Sequence, residues 1–333
     1  MAERVLVRLP NWLGDVLLAR PLLHALRASL PGASITGVAP GPLLELIASD
    51  GVLDEAVAWP GGGDARRALV SRMRAWRPDV ALVLPPSFSS AWFAFRSGAR
   101  TRVGYGHEGR AWLLTRPLRR GARGDAHLSE EYLRLGEEIG VRPRSDFATP
   151  SLLPPASGRD EADAIVARQG WIGRDLAVLA PGAIYGPAKR WPADRFAALA
   201  RRLAERGLRV FVCGTRSERP VCDEVARGAG EGVLSIAGET TLPALAGICA
   251  RARLAVCNDS GLAHLAAALG TRTVTVFGST SSAWTAPLGR RVRVVQRAPV
   301  CSPCFRRSCR IGYTCLRSID VADVARAGEE LAH

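Results

Sequence analysis

Lysine is nearly missing from this chain: of 45 basic residues, 44 are arginine, and Lys189 stands alone. Wherever a generic positive charge suffices, the sequence uses arginine. A single compact ammonium therefore marks a position where the two cations are not interchangeable. Long apolar runs are missing too. No stretch approaches the roughly 18 consecutive apolar residues of a spanning helix, and Glu3, Arg4 and Arg8 interrupt the early apolar run, which excludes a signal peptide. The expectation is a cytoplasmic protein, at most peripheral to a membrane. Acid is missing locally: residues 290–317 hold eight arginines and no acid, and residues 96–123 hold eight against Glu108 alone.

What is present is 333 residues, 47% hydrophobic and 23% charged, with a net charge of +14. That length suits two domains better than one core. The two arginine-rich segments attract polyanions, whether nucleic acid, anionic lipid or a phosphorylated glycolipid; the plainer reading is a solvated basic surface.

Short β-rich runs alternate with amphipathic stretches, the pattern of a parallel sheet with crossover helices. A strand at residues 4–9, the loop Pro10-Asn11-Trp12-Leu13-Gly14-Asp15 and a helix at 16–29 form the first unit, with strands near 34–38 and 80–84. From residue 143 to 160 the pattern dissolves into Pro, Ser and Gly, which predicts a linker at 151–160 between a domain at 1–150 and one at 161–333. The second half repeats the grammar, with strands near 176–179, 209–213, 254–257 and 273–277, a helix opened by Thr240 or Thr241, and a terminal amphipathic helix at 321–331.

In doubly wound sheets, ligands bind beyond the carboxyl ends of strands, where helix N-termini present N–H groups. Three loops of the second half fall there: Pro181-Gly182-Ala183-Ile184-Tyr185-Gly186-Pro187-Ala188-Lys189-Arg190, Gly214-Thr215-Arg216-Ser217-Glu218, and Asn258-Asp259-Ser260-Gly261 with His264 one turn on. The glycines admit a close backbone approach, Lys189 can neutralise a diphosphate, and Ser260 can donate to phosphate oxygens. Asp259 and Glu218 suit sugar hydroxyls or the orientation of a neighbour. Read blandly, Asp259 and Ser260 are helix caps and His264 is a core histidine. These loops carry neither a dinucleotide fingerprint nor a Walker A motif, which disfavours a dehydrogenase or P-loop NTPase. In the first half, Asp15 sits where strand meets helix, serving equally as a cap or as a general base kept ionised by the helix dipole.

Asn11-Trp12-Leu13-Gly14-Asp15-Val16, Pro181-Gly182-Ala183 through Gly186-Pro187-Ala188-Lys189-Arg190-Trp191-Pro192, and Asn258-Asp259-Ser260-Gly261-Leu262-Ala263-His264 together resemble the signatures of glycosyltransferase family 9, the heptosyltransferases. The resemblance implies an α/β GT-B fold, two doubly wound Rossmann-like domains facing across a cleft. It implies inverting transfer of L-glycero-D-manno-heptose from ADP-heptose to a heptosyl-Kdo-lipid A acceptor at the inner-membrane face, with no cofactor required for catalysis. Transfer to a Kdo-lipid A without heptose, or by another ADP-heptose enzyme of the family, is the nearest alternative. By position, Asp15 becomes the base and Lys189 meets the donor diphosphate. Ser260, Gly261 and His264 lie near the phosphates or heptose, with Gly182, Tyr185, Glu218, Thr240 and Asp259 completing the donor pocket. The basic stretch including Arg102 and Arg110 fits an anionic acceptor, with Trp92, Phe93, Phe95 and Trp112 interleaved as lipid-facing or core groups.

Of eight cysteines, Cys213, Cys222, Cys249 and Cys257 are scattered on predicted elements and read as core residues. Cys301, Cys304, Cys309 and Cys315 form C-x2-C-x4-C-x5-C, which points to a structural zinc site of four thiolates or, second to it, an iron–sulfur site, or else to reduced thiols. A zinc-containing nucleic-acid-binding protein is the rival from another class. No recognition motif accompanies the charge and no histidine joins the cysteines, so no nucleic-acid partner is expected.

Overall fold

The computed structural model describes residues 2–142 and 149–331, and the chain divides into two compact units, residues 1–150 and 151–333. The first unit holds a six-stranded sheet of β1 (Arg4–Arg8), β2 (Ser34–Ala39), β3 (Glu55–Ala58), β4 (Val80–Val83), β5 (Thr101–Tyr105) and β6 (Arg116–Leu118). The second holds β7 (Leu176–Ala180), β8 (Arg209–Val212), β9 (Val233–Ser235), β10 (Ala252–Asn258), β11 (Thr273–Phe277) and β12 (Val292–Gln296). Neighbouring strands pair in parallel throughout both sheets.

The spatial orders are β3-β2-β1-β4-β5-β6 and β12-β11-β10-β7-β8-β9. Counted from its own first strand, each sheet has the dinucleotide-fold order 3-2-1-4-5-6. The order reverses between β1 and β4 in one unit and between β7 and β10 in the other, and ligand crevices open at such switch points. The central strands are apolar on both faces, as parallel strands covered by helices must be: Val5, Leu6, Val7 and Ala177, Val178, Leu179 are fully buried.

Two boundaries differ from the sequence reading, and a choice it left open is decided. The helix expected at 16–29 is two helices, Leu13–Leu18 and Arg20–Ser29, parted at Ala19 with Pro21 starting the second; proline fits a first turn but not a helix interior. The segment read as linker, 151–160, becomes helical at Ala156 in the helix Ala156–Arg168, and Leu152 before it is buried with its N–H donating to Ala268 O at 2.8 Å. The remainder of the expected Pro/Ser/Gly stretch, 143–148, lies outside the described residues. Thr241, not Thr240, caps the helix Leu242–Arg251, its hydroxyl accepting the Ala244 N–H at 3.1 Å.

The end of the first unit is fastened by a buried ion pair. Arg20 Nη2 lies 2.6 Å from Asp50 Oδ1 and its Nε donates to Asp50 Oδ2 at 2.7 Å, while Nη2 also donates to Pro150 O at 2.7 Å. Burial by itself would raise the Asp50 carboxyl; the hydrogen bonds and charges of Arg20 and His24 outweigh it and hold the group down at about 2.

Candidate active site

In the first unit the switch point is occupied by the turn after β1. Trp12 is the N-cap of the helix Leu13–Leu18 and makes no side-chain cap bond, so Asp15 stands in the first turn, half-buried, rather than at the cap. Beside it, burial and then the Asp15 charge hold the Tyr132 phenol well above its ordinary range. The turn is braced from below by a residue that no motif singles out. Arg8, 1% exposed at the end of β1, donates to Asn11 Oδ1 at 2.6 Å and to Val38 O at 3.2 Å, and stacks on Trp59 at 4.3 Å. Burial, then the Arg66 charge, pull this guanidinium down to about 10.

In the second unit the switch point gathers the loops after β7 and β10. Asn258, fully buried at the end of β10, joins them: its amide donates to Pro181 O at 2.7 Å and its Oδ1 accepts the Trp191 N–H at 3.0 Å. The lone lysine is then fixed in place. Lys189 Nζ lies 2.6 Å from Asp259 Oδ2 and 4.8 Å from the centre of the Tyr185 ring. Asp259, 5% exposed, also accepts a hydrogen bond from Thr280 Oγ1 at 2.5 Å. Thr280 lies on the turn after β11, which the sequence reading left out; contact across 21 residues leaves no local pattern to find.

Next to this cluster the helix Gly261–Ala268 begins, with Ser260 as its N-cap, and Ser260 makes no cap bond. Among the described residues the Ser260 and Ser279 hydroxyls are buried with no hydrogen-bond partner, which suits groups meant to donate to a ligand. His264 is 6% exposed one turn further on. Gly182 is constrained by contact: a Cβ there would stand 2.3 Å from Glu218 Oε1. Glu218 is itself buried, its Oε2 accepting the Thr215 N–H and hydroxyl, both at 2.9 Å, in a capping box. The Thr240 loop runs alongside, since Gly238 N donates to Gly214 O at 2.9 Å. The structure thus brings Gly182, Tyr185, Lys189, Glu218, Asp259, Ser260, Gly261 and His264 to the carboxyl edge of one sheet, with Thr240 half-buried on the neighbouring loop.

The cysteine segment packs against the same loops. The Tyr185 hydroxyl donates to Phe305 O, Ala188 N donates to Arg307 O at 3.0 Å, and Phe305 N donates to Ser279 O at 2.8 Å. Gly186, at φ 149°, passes so close that a Cβ would meet Arg307 O at 2.5 Å. The four thiols share a neighbourhood. Burial and then the charges of Cys304, Cys309 and Cys301 push Cys315 up, whereas N–H groups of Ile311 and Tyr313, at 3.4 and 3.3 Å, favour the Cys309 thiolate. All four are free thiols, and among the described residues no three His, Cys, Asp or Glu side chains are arranged to hold a metal ion.

Two expected acceptor contacts are corrected. Arg110 is fully buried and donates to Tyr105 O at 2.7 Å, Pro85 O at 2.6 Å and Ser87 O at 3.0 Å. Arg102 donates to Leu113 O at 2.8 Å and Ala99 O at 2.6 Å. Arg110 holds the loops after β4 and β5 together, and Arg102 ties the turn after β5 to the segment that leads into it. Gly104, Gly106 and Gly109 happen to repeat the G-x-G-x-x-G spacing there, but a short turn (Ala111–Leu113) follows instead of a helix to receive phosphate.

Residues 66–314 match the family model for glycosyltransferase family 9 (heptosyltransferase). The chain is 32% identical over 305 residues to lipopolysaccharide heptosyltransferase 2 of Escherichia coli (strain K12), covering 88% of each chain. It is equally 32% identical over 307 residues to that of Salmonella typhimurium, again covering 88% of each. The solved structure of E. coli ADP-heptose LPS heptosyltransferase II superposes with a TM-score of 0.83 at 28% identity, covering 98% of each chain. Two doubly wound parallel sheets with this likeness are the GT-B fold, and this chain belongs to glycosyltransferase family 9, the heptosyltransferases.

Proposed function

We propose that the protein moves L-glycero-D-manno-heptose from ADP-heptose to heptosyl-Kdo-lipid A, with inversion, at the cytoplasmic face of the inner membrane. The observation that carries this reading is the cluster Lys189–Asp259–Thr280 at the second switch point, supported by the heptosyltransferase 2 relatives.

The donor diphosphate lies against Lys189, Ser260 and the first turn of Gly261–Ala268. The ammonium is already held by Asp259, so little reorganisation is needed as negative charge grows on the departing ADP. Asp15 takes the proton of the acceptor hydroxyl as it attacks the anomeric carbon from the face opposite ADP. The transition state is oxocarbenium-like and the hydroxyl becomes acidic late, so an ordinary carboxylate is a sufficient base. Glu218 and Asp259 offer carboxylate oxygens to ribose or heptose hydroxyls. Transfer needs no metal in this scheme, because Lys189 and the helix N-terminus carry the charge compensation.

The test is ADP release from ADP-heptose with mono-heptosylated Kdo-lipid A. Acceptor-dependent release supports the assignment. Release only with Kdo-lipid A lacking heptose would move the protein to the heptosyltransferase I reaction, and silence with both from folded protein would overturn it.

A further inference from the structure

The helix Phe88–Arg96 is apolar on two sides. Ala91, Phe93 and Ala94 are buried against the sheet, whereas Phe88, Trp92 and Phe95, spaced i, i+4 and i+7, are 45%, 40% and 40% exposed. Trp112, 64% exposed on the turn after β5, joins them. The four rings touch: centroids lie 6.4 Å apart for Phe88–Trp92, 5.6 Å for Trp92–Phe95, and 6.2, 6.4 and 6.3 Å from Trp112 to Phe88, Trp92 and Phe95. The aromatics read as lipid-facing or core groups thus divide, with Phe93 inside and the others forming a continuous outer patch. Contiguous exposed apolar surface of this kind marks an interaction site, not scatter.

The rim identifies the partner. Arg96 lies over Trp92 at 5.8 Å and Arg102 over Phe95 at 5.5 Å, with Arg100 exposed nearby. The only acid in residues 96–123 is Glu108. Indole and phenyl rings bordered by guanidinium groups match the headgroup layer of an anionic bilayer, where rings enter the interface and cations stay among phosphates. Among the described residues no helix is long and apolar enough to cross a membrane, so such an attachment is one of surface only. The patch is also placed for use. Phe88 opens the helix after β4, and β4 pairs directly with β1, whose carboxyl end leads to Asp15. We propose that Phe88, Trp92, Phe95 and Trp112 with Arg96 and Arg100 form a docking face for anionic lipid bilayers, which seats the membrane beside the catalytic carboxylate. This rests on the reading of a lipid-borne acceptor.

The experiment is co-sedimentation of the full-length protein with phosphatidylglycerol-containing vesicles and with pure phosphatidylcholine vesicles. Preference for the anionic vesicles is expected. Trp92→Ser/Trp112→Ser should lower binding by at least about tenfold, and Arg96→Gln or Arg100→Gln by about fivefold each, with ADP affinity and thermal unfolding unchanged. A conservative pair, Trp92→Phe/Trp112→Phe, should keep binding but lose quenching of tryptophan emission by brominated lipid. Equal binding to both vesicle types, unchanged binding by the Ser pair, or quenching that survives the Phe pair would each overturn the proposal. So would self-association of the wild type in place of vesicle binding, abolished by the Ser pair. Vesicle binding is read without turnover. ADP release with a deacylated, water-soluble acceptor tests the transferase reading on its own, so the failure of one is not mistaken for the failure of the other.

Discussion

Replacing Lys189 by arginine conserves charge in a chain that otherwise uses arginine 44 times, and activity should nevertheless fall. The lysine ammonium is a point charge 2.6 Å from Asp259 Oδ2 on a side chain 14% exposed, beneath the Tyr185 ring. At an effective dielectric constant of about 20, a unit charge about 4 Å from a phosphate oxygen contributes ~4 kcal/mol. Removing it in Lys189→Met should therefore cost about 1000-fold in kcat/KM. A guanidinium spreads its charge over a larger plane, and held in the same cage its centre stands ~2 Å farther off. The same formula then gives ~3 kcal/mol, so Lys189→Arg should lose about tenfold. The assay is steady-state ADP release at low donor, with calorimetric ADP affinity and thermal unfolding to separate chemistry from folding. If Lys189→Arg turned over within about twofold of wild type, charge alone would suffice. The inference from the single lysine would then fail.

Asp15→Asn should abolish transfer while ADP affinity is kept, as measured by calorimetry; turnover near normal would remove Asp15 as the base. Thr280→Val should lower kcat/KM by about tenfold or more, the loss of one hydrogen bond to a buried charge, and Thr280→Ser should restore it. Stability should fall in acid. The Asp50 pKa is depressed, so its contribution is complete above the unfolded value near 4 and disappears as pH drops towards about 2; that is worth about 2 kcal/mol. Urea titrations at pH 6 and pH 3 should show this drop in wild type and a smaller one in Asp50→Asn, which begins less stable because Arg20 is left buried without its partner. Chelator treatment under reducing conditions should leave ADP release unchanged; a loss restored by added zinc would show that metal supports the donor loops.

The fully buried central strands and the three loop motifs were legible in sequence for a physical reason. Parallel strands covered on both faces read as unbroken apolar runs, and the loops at their carboxyl ends must carry small, polar and charged residues. The edge strands β3, β6, β9 and β12, and β5 beside one of them, were not found because they are short and partly exposed: Arg116–Leu118 and Val233–Ser235 have three residues each, and Thr101 and Arg102 open β5 half-buried. Asn258 stood in a quoted motif, but its task of joining two loops depends on contacts across 77 and 67 residues. The division of aromatics in Phe88–Arg96 was equally hidden, since a helix apolar on two sides shows composition without showing which side meets the sheet. Arg110 misled because arginine is so common here that a buried brace and a surface cation look alike.

The bonds from Phe305 and Arg307 to the lysine loop also bear on how the protein is made. Every strand of the second sheet ends by Gln296, but Leu316, Ile319, Val324 and Leu331 are buried in its core, so the domain closes only after the partners of Tyr185 and Ala188 have been added. A nascent chain that stops at the last strand lacks both the brace that shapes the loop around Lys189 and the terminal helix that covers one face of its sheet. Closure of the second domain and shaping of the donor loop therefore both wait on the last part of the chain, residues 305–331.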